Sequence, residues 1–133
     1  MQLSQFVGMY LAESWATLYM VLISSTISYA IGIPLGVILI ATEQGGIAPC
    51  RIVHGILGFI TNIFRTIPFL ILLVMVLPLT KLLVGTTLGP RAIIPPLIIA
   101  SAPYIARMVE SSLKEVDAGV IEAAKSMGAS NWQ

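Results

Sequence analysis

The 133-residue sequence predicts an all-α membrane protein, three transmembrane helices followed by a polar amphipathic segment, and three observations carry that prediction. First, 57% of the residues are hydrophobic and only 10% are charged, against roughly a quarter charged in an average soluble domain. Second, no charge occurs from Ser14 to Thr42, and about 20 apolar helical residues suffice to cross a hydrocarbon core. Third, Glu110, Lys114, Glu115, Asp117, Glu122 and Lys125 crowd into one short stretch, so the chain leaves the hydrocarbon after Arg107.

The first span is placed at roughly residues 16–41. No Lys or Arg precedes Arg51, and the apolar run is too long for a cleaved signal peptide, so it reads as a permanent helix. Charge, two glycines and a proline return between Glu43 and Arg51, which marks an interfacial loop. From Ile52 to Ala106 the only basic side chains are His54, Arg65, Lys81 and Arg91. That is enough apolar length for two crossings, at roughly 57–79 and 92–107, with a turn between Val84 and Pro90. An external N-terminus puts Arg51, Arg107, Lys114 and Lys125 in the cytoplasm and only Lys81 and Arg91 outside, as the positive-inside bias favours. Residues 108–133 are then a cytoplasmic segment of a single transmembrane domain, 1–133. Leu113, Val116, Val120, Ala124 and Met127 recur at helical spacing as an apolar stripe. Asp117 interrupts it, able to cap a second short helix from about Ala118, and Gly128 ends that helix.

Several functions are excluded by residue type. A formal net charge of +1 with scattered Lys and Arg provides no phosphate-binding face, so no nucleic-acid partner is expected. One cysteine, Cys50, and one histidine leave no internal disulfide and no metal-ligand set. No catalytic constellation and no G-x-x-x-x-G-K-[ST] loop occur, so the chain reads as no enzyme and without a cofactor of its own. If ATP matters, a partner binds it. Arg65, next to Pro68, reads as a residue snorkelling to the interface before it reads as a guide for a substrate carboxylate. Arg107 and Glu110 read as an ordinary surface pair, and His54 as an interfacial residue with no carboxylate beside it. Gly32 and Gly36 permit close helix approach, within the subunit before between copies. Met75 and Met108 are treated as gap fillers, and Pro34, Pro68, Pro78 and Pro103 as candidate kinks.

The segment Glu122-Ala-Ala-Lys-Ser-Met-Gly128 is the most informative. Two adjacent alanines leave a low surface, Glu122 supplies an anchor and Gly128 a sharp exit. Such a helix suits a partner's groove, or equally a bed of lipid headgroups. Glu122, Ala123, Ala124 and Gly128 match the opening of the cytoplasmic coupling motif of ABC importer permeases, which this segment resembles. Asn62 to Leu73, Ala102 to Glu110 and Gly32 to Gly36 are similar to the methionine-uptake permeases, and the resemblance extends over nearly the whole chain.

The resemblance implies part of the type I importer permease fold, in the bacterial inner membrane, with an external N-terminus and two further helices missing from a truncated chain. It implies ATPase subunits that dock on Glu122, Ala123, Ala124 and Gly128 and bind ATP and Mg, a second permease copy in a homodimer, and an extracytoplasmic substrate-binding protein. The expected activity is methionine import, with another amino acid or small solute as the alternative cargo. Asp117 stands where this family would have proline, a departure that a capping aspartate tolerates. From other classes, a secondary transporter would need facing ionisable residues at mid-membrane, for which only Arg65 is a candidate. A non-transporting membrane interaction protein would use the terminal helix without coupling it to hydrolysis.

Overall fold

A computed structural model describes residues 2–133. Five helices follow in order: α1 (Leu3–Ala41), α2 (Arg51–Thr66), α3 (Phe69–Val84), α4 (Pro90–Lys114) and α5 (Ala118–Ser126). No strand occurs among the described residues. α1 and α4 are each long and apolar enough to cross a membrane, and α2 with α3 adds a third crossing if the bent pair is one span. With 39 residues α1 is about 58 Å long at 1.5 Å per residue, so it exceeds the hydrocarbon thickness and contains residues 16–41 as its C-terminal part.

The second apolar stretch is not a straight rod. α2 and α3 meet at 112° across Ile67 and Pro68. Pro68 forces its predecessor out of the helical region, and Ile67 accordingly has φ −74° and ψ 123°. Pro68 then serves as the N-cap of α3. α2 is amphipathic in the sense opposite to a soluble helix. Its polar residues His54, Thr61 and Asn62 lie with Gly58 on the side that meets α4, while Ile52, Ile56, Phe59, Ile60 and Ile63 are exposed. Apolar outside and polar inside is the arrangement that hydrocarbon solvent favours.

The main packing is α1 against α4. Gly32 and Gly36 lie at its centre: a Cβ on Gly32 would come within 2.7 Å of Ile105 Cγ2, and one on Gly36 within 2.6 Å of the Ala106 carbonyl oxygen. The pair of glycines therefore serves contact inside this chain, where backbones touch because no side chain intervenes. Small residues on the partner helix complete the fit, with Ala102 and Ala106 both buried. Leu39 and Leu72 are the largest buried apolar side chains. α3 packs on the same helix, which makes α4 the hub of the bundle.

Candidate functional site

α5 forms where the sequence places a short capped helix. Asp117 has extended backbone angles and its carboxylate Oδ1 accepts a hydrogen bond from the Gly119 amide at 2.9 Å. This satisfies one of the helix's free amides. At the other end Gly128 has φ +86° and donates to the Lys125 carbonyl at 3.0 Å, while the Ala129 amide reaches the Ala124 carbonyl at 3.1 Å. These two bonds close a Schellman motif, which requires the left-handed conformation that glycine adopts without cost. Removing the cap by Asp117→Ala is expected to destabilise α5 by about 1 kcal/mol; amide exchange across Ala118–Ser126 should accelerate several-fold while α4 is unchanged.

α5 packs against none of the other four helices. Glu122, Ala123, Ala124 and Gly128 are all exposed, and Val120, Ile121 and Ala124 line a cavity with Ile47 of the loop after α1. Ile121 lines an apolar cavity with Val37, Ile40, Ile47, Leu113 and Val116, so the end of α1 and its following loop cradle the base of α5. The apolar stripe read from the sequence is thus split. Leu113 and Val116 line this cavity, whereas Met127 is 89% exposed beyond it.

Behind α5 lies an ion network that residue spacing only partly disclosed. Arg107 is no surface residue paired casually with its neighbour. Its Nη1 donates to Glu110 Oε2 at 2.7 Å, and its Nη2 donates to the Gly58 carbonyl at 3.0 Å and to Asn62 Oδ1 at 2.9 Å. Glu110 is buried, with 4% of its surface accessible. Lys114 Nζ binds Glu110 Oε1 at 3.2 Å and Glu43 Oε1 at 3.1 Å. The expectation of a surface pair is therefore corrected: α4 uses Arg107, Glu110 and Lys114 to tie together α2 and the end of α1. The i, i+3 and i, i+4 spacing was visible in the sequence, but the partners across the bundle were not.

His54 is corrected in the same way. Its Nδ1 lies 2.8 Å from the Leu39 carbonyl oxygen, and since a carbonyl only accepts, that nitrogen donates the bond. Glu43, His54 and Glu110 bring their ligand atoms within 4.8 Å of one another, so carboxylates do stand beside the histidine. A set of this type could hold a metal ion. In the chain as it stands, the Lys114 ammonium already bridges both carboxylates.

Arg65 stays apart from this network. It is exposed, forms no ion pair among the described residues, and lines a cavity of about 220 Å³ with Tyr104, Arg107, Glu110 and Lys114. Met75 and Met108 are both exposed on the bundle.

Apolar helices with an inward polar face, an ion cluster around the buried Glu110 at one end and a short capped helix beyond it are the features of an integral membrane protein. The chain belongs to the family of binding-protein-dependent transport system inner membrane components, whose pattern residues 32–133 match. Among curated relatives, the probable D-methionine transport system permease protein MetI of Vibrio cholerae is 48% identical over 92% of this chain and 55% of its own length. The methionine import system permease protein MetP of Bacillus subtilis is 54% identical over 69% of this chain and 41% of its own. The fold matches a structure of the MetNI methionine ABC transporter in an inward-facing conformation, with a TM-score of 0.93 and 42% identity, covering 100% of this chain and 61% of that one. The chain thus spans about half the length of the curated relatives it matches.

Proposed function

We propose that the protein to which this chain belongs is the permease subunit of an ATP-driven importer for methionine. Two copies flank the pathway in the inner membrane with their N-termini outside, an external binding protein delivers cargo, and separate ATPase subunits bind ATP and Mg. The observation that supports coupling most directly is α5, which offers Glu122, Ala123 and Ala124 free of any helix packing. On this reading a groove on the ATPase takes the low alanine surface, Glu122 anchors it, and Gly128 turns the chain away. ATP-driven closure of the ATPase pair pulls α5. The rigid base made by Arg107, Glu110, Lys114 and Glu43 carries that displacement into α4, α2 and α1 at once, biasing the bundle between two access states. Cargo identity rests on the methionine systems among the relatives, and no side chain here is assigned to it.

The test is capture of the cognate ATPase by the complete protein and by its Gly128→Asp variant. Any side chain at φ +86° is strained, by roughly 1–2 kcal/mol, so binding should weaken about tenfold. Unchanged capture would remove α5 from the contact. Capture without ATP-driven methionine uptake by the reconstituted system, but with uptake of another solute, would keep the permease and replace the cargo.

A further inference from the structure

The cavity between α2 and the end of α4 has no assigned occupant. Three cations line it, Arg65, Arg107 and Lys114, against a single carboxylate, Glu110. Arg107 and Lys114 spend their charge on Glu110 and Glu43. Arg65 has no counter-ion among the described residues, so the cavity carries surplus positive charge on a planar, five-donor group. At one end of the cavity Lys114 closes α4 immediately before the charged residues of 115–125, so the cavity opens toward the polar end of the bundle. On the same helix as Arg65, the apolar residues Ile56, Phe59, Ile60 and Ile63 are exposed. A cation-lined hollow beside a bare apolar face matches a ligand with an anionic head and long apolar chains.

We propose that this cavity is a binding site for the phosphate headgroup of an anionic phospholipid, with Arg65 as its principal ligand. The guanidinium offers two parallel donors to phosphate oxygens, Lys114, nearly half exposed, can turn toward the same group, and the acyl chains lie along the outer face of α2. Glu110 keeps Arg107 turned toward α2 and sets the inner wall. The site is separate from α5 itself, although it shares Arg107, Glu110 and Lys114 with the ion network at the base of the bundle.

Native mass spectrometry of the complete protein, released from mixed micelles holding equal phosphatidylglycerol and phosphatidylcholine, tests this. The expected result is about tenfold preferential retention of phosphatidylglycerol, lost in Arg65→Gln and kept in Arg65→Lys and in Lys81→Gln at the far end of the bundle. Among the described residues the Arg65 side chain makes no hydrogen bond or ion pair whose loss would unfold the chain, and helix content by circular dichroism verifies this. Should Arg65→Gln nonetheless misfold, the wild type still decides, because added salt must strip the lipid if phosphate contact holds it. Equal loss in Lys81→Gln would reduce the effect to general charge and overturn the proposal. So would displacement of the lipid by an equal concentration of glycerol phosphate, which would mean a site for free anions.

Discussion

Replacing Gly36 with leucine is expected to force α1 off α4 and to cost about 3 kcal/mol of stability, or to prevent folding altogether. The magnitude follows from what a side chain would meet: the Ala106 carbonyl oxygen at 2.6 Å and Val109 Cβ at 2.7 Å, backbone and branched carbon that cannot swing aside. Even alanine should be felt at this position. The same replacement at Gly8, earlier in the same helix, meets nothing within 4 Å and is expected to be almost neutral. Comparing the unfolding midpoints of Gly36→Leu and Gly8→Leu in SDS checks the prediction. Equal midpoints would show that the close approach of α1 and α4 is not what holds the bundle.

Glu110→Ala should be the most damaging change among the charged residues. Glu110 is buried and lies between Arg107 and Lys114, whose side chains are 21% and 46% exposed. Losing the carboxylate leaves the Arg107 guanidinium held by Gly58 and Asn62 with its charge uncompensated, a situation that costs about 3–5 kcal/mol when a buried pair is broken. Lys114 contributes little to that figure, since it can relax into solvent and retains Glu43. The double variant Arg107→Met with Glu110→Leu removes both charges and is expected to recover much of the loss. A single variant no less stable than the double one would mean that solvent already compensates Arg107.

Residue pattern alone was enough for everything that is local. The apolar run through α1, the return of charge after Arg107, Asp117 as a cap and Gly128 as a stop all act within one or two helical turns of themselves. Their physical causes, solvation of a short segment and satisfaction of its terminal amides and carbonyls, need no distant partner. The bend at Ile67 and Pro68 was half legible: proline announces a break, but not the 112° that packing of α3 on α4 sets.

What only the tertiary structure decided concerns groups far apart in the chain. Glu43 meets Lys114, His54 meets the Leu39 carbonyl and Arg107 reaches Gly58 and Asn62 because α1, α2 and α4 converge at one end of the bundle. Spacing along a single helix revealed the Arg107–Glu110–Lys114 row, yet it carried no sign that Glu110 is buried or that the row clamps two other segments. The cost of burying a charge depends on what surrounds it, and those surroundings come from other helices. For the same reason a lone arginine beside a proline could be read as peripheral, while the cavity that gives Arg65 its chemistry exists only after α2 has folded against α4.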